Sequence, residues 1–195
     1  MCRLLRCREC SASTLPGRSR PYARGVNRKA LALNVLAVTV AAWLPASSAT
    51  ALPRDARITT AGLGAIKIGM TERQVERAGH RRITLRGGAG DGSCRTATLG
   101  DKIHGLFTGD RLARIYVRSR RYATRSGIRV GASEADVYKT YPGDVVARQH
   151  AYNLAGHYLE IRDGNRKVVF ETDGRRVVQI STGRRPEIDY VEGCA

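Results

Sequence analysis

The sequence lacks the short motifs that mark common catalytic and cofactor-binding sites. Its four histidines, His80, His104, His150 and His157, show no H-E-x-x-H or other metal-ligand spacing. Neither the G-x-S-x-G motif of a serine nucleophile nor the G-K-[ST] end of a phosphate-binding loop occurs. These absences predict a protein with no metal, no cofactor and no catalytic function. A secreted enzyme of another type is the rival hypothesis.

The sequence also lacks a hydrophobic run of the roughly twenty residues that span a bilayer. The longest apolar run covers residues 30–44; a basic pair precedes it, and a small-residue A-x-A pattern ends at Ala51. This order is typical of a secretory signal peptide. We therefore predict a leader over residues 1–51, and a mature chain that begins near Leu52 without a transmembrane span. Export is to the periplasm or the medium. A translation start at Val26 would remove the long arginine-rich extension of the leader.

Lysine is scarce after the leader, although the chain is strongly basic. The formal net charge is +17, and residues 52–195 hold 26 of the 34 Lys and Arg residues but 16 of the 17 acids. This part therefore has a net charge of +10. Excess positive charge attracts anionic partners such as wall polymer or anionic lipid, although codon bias toward arginine is the alternative explanation. Nucleic acid is not an expected partner, since the protein is predicted to be exported and no recognition helix is visible.

Cysteine is sparse in the predicted mature region. Cys2, Cys7 and Cys10 lie in the leader, which leaves Cys94 and Cys194 as the only pair after it. Two cysteines in an oxidising compartment favour a disulfide, so we predict a Cys94–Cys194 bond. Two free thiols, or bonds between two copies of the protein, are the alternatives. The C-x-x-C spacing of Cys7 and Cys10 lacks the second half-site of a zinc centre.

Two segments of the predicted mature region resemble each other. When Gly69 is aligned with Gly131, 62 residues later, the flanking apolar residues also coincide. This period is longer than that of solenoid repeats. It predicts a duplication, with one α+β repeat over residues 52–122 and a second over residues 123–195.

Each copy begins a short helix just after its glycine. A hydroxyl residue followed three positions later by a Gln or an acid forms a capping box, which satisfies free amides at the start of a helix. Thr71 with Gln74, and Ser133 with Asp136, fit this pattern. We predict that the first helix ends at Gly79 and that the second ends at the Pro-Gly pair that follows it.

Alternating apolar and polar residues predict antiparallel strands after each helix, separated by Asp-Gly and Gly-Asp turns. The predicted strands are residues 103–107 and 111–118 in the first copy, residues 158–162, 167–171 and 176–181 in the second, and shorter strands near 95–99 and 148–153. The predicted fold class is therefore α+β: two tandem copies of a short helix packed on a small antiparallel sheet.

Strand alternation also predicts which side chains face the helices. Those predicted on the helix side are Ala113, Ile115, Val117, Leu159, Ile161, Phe170, Val178 and Ile180. Leu112 and Glu160 are predicted on the opposite face.

That opposite face combines tyrosine with arginine. It is predicted to carry Arg114, Tyr116, Arg118, Tyr158 and Arg162. Tyrosine and arginine dominate the energetic hot spots of protein interfaces. We therefore take these five residues as the candidate binding face for a protein partner; an ordinary solvated sheet face is the alternative.

The opening of the first repeat resembles a known family. Residues 68–75, I-G-M-T-E-R-Q-V, followed by an Ala-Gly pair, are similar to the G-M-T-x-x-Q/E-V start of the β-lactamase-inhibitory-protein fold. The small lipoprotein of the outer-membrane assembly machinery shares that fold. The resemblance covers residues 66–79 and the repeated segment at 128–141, which has G-A-S in place of G-M-T. It implies an exported module that binds other proteins without catalysis.

Taken together, these patterns predict an exported, non-catalytic protein-binding module that is inhibitor-like or associated with the envelope. The alternative is a basic protein that binds anionic envelope components through the arginines at 118–125, 175–176 and 184–185. A secreted enzyme is the third hypothesis, and loss of turnover on a single His→Ala change would favour it.

Overall fold

The computed structural model describes residues 52–87 and 93–194. The predicted leader, with its cleavage site, the start at Val26 and three cysteines, lies outside the described residues, as do residues 88–92 of the glycine-rich loop. None of the helices in the described part of the protein is long and apolar enough to cross a membrane.

The described residues form twelve short strands and two α-helices. In sequence order the strands are β1 (Arg57–Thr59), β2 (Gly62–Leu63), β3 (Ile66–Lys67), β4 (Arg86–Gly87), β5 (Cys94–Gly100), β6 (Ile103–Thr108), β7 (Arg111–Val117), β8 (Ala123–Thr124), β9 (Val145–Gln149), β10 (His157–Asp163), β11 (Arg166–Thr172) and β12 (Val177–Arg184). The helices are α1 (Glu72–Gly79) and α2 (Glu134–Thr140), and a 3₁₀ helix spans Glu187–Asp189.

The predicted α+β class, with a small sheet in each of two tandem copies, is wrong. Eight strands form one antiparallel sheet in the order β4-β5-β6-β7-β12-β11-β10-β9. Strands from both predicted copies join because β7 pairs with β12, with Val117 opposite Ile180. The structure is therefore mostly β, with two short helices beside a large sheet.

A second, smaller sheet lies near the first helix. Its order is β3-β2-β1-β8, and β1 runs parallel to β8. The Thr182 hydroxyl of β12 donates a 2.6 Å hydrogen bond to the carbonyl of Thr59 in β1, which connects the small sheet to the large one.

Both predicted capping boxes are present. The Thr71 amide donates to Gln74 Oε1 at 2.8 Å, and the Ser133 amide donates to Asp136 Oδ2 at 3.0 Å. α1 ends at Gly79, as predicted, and His80 takes the left-handed conformation that closes the helix.

The segment before each helix is bound to the large sheet in the same way. In both places the amide of the glycine donates a hydrogen bond to the carbonyl of a strand residue. The amide of the same strand residue then donates to the carbonyl of the residue that follows the glycine. The pairs are Gly69 with Leu112 (2.7 Å), Leu112 with Met70 (2.8 Å), Gly131 with Val177 (2.8 Å) and Val177 with Ala132 (2.9 Å). These matched contacts agree with the predicted duplication, which stays a prediction.

The core lies between the helices and one face of the large sheet, and two strand irregularities correct its predicted composition. The β6–β7 register shifts so that Phe107 pairs with Leu112, and Leu112 is fully buried in the core rather than on the opposite face. The β11–β12 register also shifts, which puts Val177 in the core and leaves Val178 41% exposed. An extra residue in one strand reverses the faces beyond it.

Candidate functional site

The face of the large sheet opposite the core, here called the outer face, is partly covered by the C-terminal segment. Residues 187–194, the tail, follow β12, cross this face and end at a disulfide between Cys94 and Cys194. The predicted pairing of these cysteines is thus found in the structure, with the Cα atoms 5.5 Å apart. Ile188 of the tail is buried.

A cleft of about 350 Å³ remains between the tail and the outer face. Arg114, Tyr116, Arg118 and Tyr158, four of the five residues predicted for the binding face, line this cleft. The fifth, Arg162, lies outside it. Four of the five residues of the candidate binding face therefore lie together in one cleft.

Sequence reasoning missed most of the other residues that line the cleft. They come from the tail, from the loop after β9 and from strands whose pairing the sequence does not reveal. Among them are His104, Arg148, His150, Tyr152, Glu171, Gln179, Asp189 and Tyr190. Strand register would have located Glu171, Gln179 and Arg148, but register is set by pairing between distant segments, which a single sequence does not record.

A row of polar and aromatic side chains crosses four strands of the outer face, from β12 to β9, and Arg118, just after β7, extends it. Register places Gln179 beside Glu171, Glu171 beside Tyr158, and Tyr158 beside Arg148. Arg118 Nε donates to Gln179 Oε1 at 2.8 Å, and Gln179 Nε2 donates to Glu171 Oε2 at 2.8 Å. One continuous hydrogen-bond network therefore holds the floor of the cleft in a fixed arrangement.

His150 completes this network and has no free ring nitrogen. Its Nδ1 accepts hydrogen bonds from the amides of Tyr152 (3.0 Å) and Asn153 (3.1 Å). Because Nδ1 is an acceptor, the ring proton is on Nε2, which donates to Glu171 Oε1 at 3.2 Å. The ring also stacks on Tyr158, with centroids 4.6 Å apart. Both nitrogens are occupied, so His150 positions its neighbours rather than acting as a base.

Arg114 lies at the bottom of the cleft with 7% of its surface exposed. Its Nη1 donates to the Tyr190 carbonyl at 2.6 Å, its Nη2 donates to Ser181 Oγ at 3.3 Å, and its guanidinium carbon lies 4.2 Å from the ring centroid of Tyr116. Its buried Nε has no hydrogen-bond partner among the described residues. Burial lowers the pKa of Arg114, but an arginine stays protonated at neutral pH. No described carboxylate forms an ion pair with this buried guanidinium, although Glu171 and Asp189 interact with its charge from a longer distance.

Tyr116 keeps its proton at neutral pH. Burial raises the pKa of its phenol, and the charge of Arg114 opposes that rise without cancelling it. The Tyr116 hydroxyl is therefore able to donate a hydrogen bond to an acceptor in the cleft.

A cluster of ion pairs beside the cleft fixes the tail. Glu160 is fully buried and binds Lys167 (2.8 Å), Arg148 (2.6 Å) and Arg162 (3.0 Å), and Lys167 also binds Asp189 of the tail. Burial raises the pKa of Glu160, but hydrogen bonds from Lys167 and Arg148 outweigh it and hold the pKa below its usual range. Since Glu160 is ionised, it stabilises the charge of Lys167, and the cluster anchors the tail.

Within residues 52–87 and 93–194, no three His, Cys, Asp or Glu side chains lie close enough to hold a metal ion. His157 Nδ1 lies 2.9 Å from Glu134 Oε1, away from the cleft. His104 lies in the cleft, opposite Tyr116 on the neighbouring strand.

No protein-family model and no curated protein matches this sequence. Among solved structures, the uncharacterized protein yfeY from Escherichia coli is similar, with 16% sequence identity and a TM-score of 0.47 over 66% of this chain and 99% of that chain. An extracellular protein containing a SCP domain from Bacillus anthracis str. Ames is 10% identical, with a TM-score of 0.45 over 60% of this chain and 44% of that chain.

Proposed function

We propose that this protein is an exported, non-catalytic protein-binding module, and that its partner docks in the cleft of the outer face. The observation that carries the proposal is the convergence of Tyr116, Tyr158 and Arg114 in one cleft, with Tyr152 and Tyr190 also lining it. Tyrosine and arginine supply most of the energy at protein interfaces. Stacking and hydrogen bonds already hold several of these side chains, so less side-chain entropy is lost on binding.

The open edge of the large sheet lies next to this cleft and supports the same function. β9 is the outermost strand and pairs only with β10 among the described strands. The His150 amide donates to the Gly156 carbonyl, so the alternation of an antiparallel ladder directs the backbone groups of 145, 147 and 149 outward. An extended segment of a partner therefore has donors and acceptors available to form a ninth strand.

Exposed apolar side chains concentrate at this edge. Seven large hydrophobic residues of the described part of the protein are exposed, and three of them lie on β9 or in the loop after it: Val146, Tyr152 and Leu154. Exposed apolar residues that cluster mark interaction sites more often than scattered ones do. The partner is thus proposed to contact the β9 edge and the cleft together.

One structural observation and one sequence prediction support export. The Cys94–Cys194 disulfide is of the kind that persists in an oxidising compartment. The leader predicted over residues 1–51 leads to the same compartment. Whether the protein stays in the periplasm or reaches the medium, and whether it is inhibitor-like as the family resemblance implies, remain proposals.

Affinity capture with matched variants tests the function. The immobilised mature domain is exposed to envelope extract and culture medium, in parallel with a Tyr152→Ala/Tyr190→Ala variant and a Tyr138→Ala control. All three tyrosines are exposed, but only Tyr152 and Tyr190 line the cleft. A partner is expected to be retained by the wild type and the control, and to bind at least about fivefold more weakly to the double variant. Equal retention by all three proteins would show that the cleft is not the binding site.

A specific observation favours a second candidate, the binding of anionic envelope components. Arg120, Arg129 and Arg176 line a separate depression of about 470 Å³, and none of them forms an ion pair with a described carboxylate. Arg176 Nη1 donates to the Gly131 carbonyl at 2.8 Å, which fixes that guanidinium. Binding to phosphatidylglycerol vesicles that falls steeply with added salt, and is lost in Arg120→Gln/Arg129→Gln, would favour this function.

A further inference from the structure

We propose that the cleft recognises a carboxylate group of its partner, and that the guanidinium of Arg118 binds it. This inference rests on the proposed function and names the chemistry by which the cleft selects its partner.

Arg118 is positioned in advance for an anionic ligand. Its Nε donates to Gln179, Gln179 donates to Glu171, and Glu171 also accepts from His150. This network fixes the guanidinium while its two terminal nitrogens have no partner among the described residues. The residue is exposed and lines the cleft. Paired terminal nitrogens match the two oxygens of a carboxylate, which accept two parallel hydrogen bonds.

Arg118 forms no ion pair with a described carboxylate, although the cleft is lined by equal numbers of arginines and acids: Arg114, Arg118, Arg148, Glu171, Asp189 and Glu192. Arg114 is more than nine-tenths buried, lines the same cleft, and forms no ion pair with a described carboxylate. The acids nearest to the cleft floor already have partners: Glu171 accepts from Gln179 and His150, and Asp189 binds Lys167. The terminal nitrogens of Arg118, which have no partner among the described residues, therefore remain available to an incoming anion.

The rest of the cleft fits a peptide carboxylate. Tyr116, on the same strand and two residues from both arginines, has a protonated hydroxyl that is able to donate to a ligand oxygen. Tyr152 and Tyr158 provide aromatic surface for neighbouring side chains. The net charge of +10 over residues 52–195 attracts acidic segments over a distance. The carboxylate belongs either to an acidic residue of the partner or to the partner's own C-terminus.

A nuclear magnetic resonance titration with three tripeptides tests the inference. The ¹⁵N-labelled mature protein is titrated with acetyl-Ala-Glu-Ala-amide, acetyl-Ala-Gln-Ala with a free C-terminus, and the neutral acetyl-Ala-Gln-Ala-amide. At least one carboxylate peptide is expected to bind about tenfold more tightly than the neutral one, because charge-assisted hydrogen bonds are the strong ones. Which of the two does so identifies the source of the carboxylate.

Two variants with the same loss of charge complete the test. Arg118→Gln is expected to remove the preference for carboxylate. Arg125→Gln is expected to keep it, because Arg125 is exposed but lies in a different depression. Both residues are exposed, so both variants are expected to fold, which their circular dichroism spectra verify.

Each other outcome overturns the inference in a different way. Equal shifts in the cleft with all three peptides would show peptide binding without carboxylate recognition, and the proposed function would stand. Shifts confined to residues outside the cleft, or none with any peptide, would contradict carboxylate binding in the cleft. The capture experiment with Tyr152→Ala/Tyr190→Ala then judges the protein-binding function separately.

Discussion

Removal of the disulfide, in a Cys94→Ser/Cys194→Ser variant, is expected to destabilise the protein mainly through its unfolded state. The bond joins residues 100 positions apart. For a loop of that length, the chain-entropy model assigns a stabilisation of about 4.7 kcal/mol, and measured values for native disulfides are typically about 2–5 kcal/mol. A loss in this range is a large fraction of the stability of a domain of this size.

The folded state is expected to change little, because the tail has other attachments. The Tyr190 carbonyl accepts from buried Arg114 at 2.6 Å, Asp189 binds Lys167, and Ile188 is buried. These contacts do not depend on the disulfide. The variant should therefore keep its native circular dichroism spectrum at about 25 °C while its unfolding midpoint falls.

Guanidinium unfolding of the oxidised wild type and the variant measures this difference. We expect a free energy of unfolding lower by about 2–5 kcal/mol. The m-value should be higher, because the unlinked unfolded protein exposes more surface. A loss below about 1 kcal/mol would refute the reasoning. So would a variant that has lost its native spectrum, because the tail would then depend on the bond in the folded state.

Two further predictions concern buried charge and the open edge. Glu160→Gln should destabilise the protein by about 1–3 kcal/mol at pH 7, because Lys167 would lose its buried carboxylate partner and keep only the partly exposed Asp189. Since the pKa of Glu160 is lower in the folded state, the stability that its ionised form contributes is fully present above the ordinary carboxylate pKa and is lost as pH falls through the folded-state pKa. Urea unfolding at several pH values should therefore show a free energy of unfolding that falls less steeply toward acid pH in the variant than in the wild type. The same steepness in both proteins would contradict the pKa shift. Ala147→Pro should keep the wild-type thermal midpoint but abolish partner capture, because the Ala147 amide points outward. Val146→Pro, which removes an amide that bonds to β10, should lower the midpoint; equal midpoints for the two proline variants would contradict the assigned direction of these amides.

Local chemistry made part of the fold predictable. The capping boxes at Thr71 and Ser133 mark helix starts because a hydroxyl and a side chain three residues later satisfy the same free amides. Asp-Gly and Gly-Asp turns between alternating segments located β6, β7, β10, β11 and β12 to within a few residues. The disulfide was predictable because residues 52–195 hold only two cysteines.

Long-range pairing was not predictable in the same way. The β7–β12 contact joins segments about sixty residues apart, and it turned two expected small sheets into one large one. The irregularities near Leu112 and Val178 exchange the two faces of a strand, and no residue type marks them. The tail has no periodic pattern, so its position over the outer face, and the cleft that results, could not be derived from the sequence.

Hydrogen–deuterium exchange on the complex with a captured partner tests the central claim most directly. In the free protein, the outward amides of Val145, Ala147 and Gln149 have no strand partner among the described residues and should exchange quickly. Binding is predicted to slow their exchange, together with that of Tyr190 and its neighbours in the tail. Protection confined to the opposite side of the sheet, at α1, with unchanged exchange along β9 and the tail, would contradict the assignment of the cleft as the binding site.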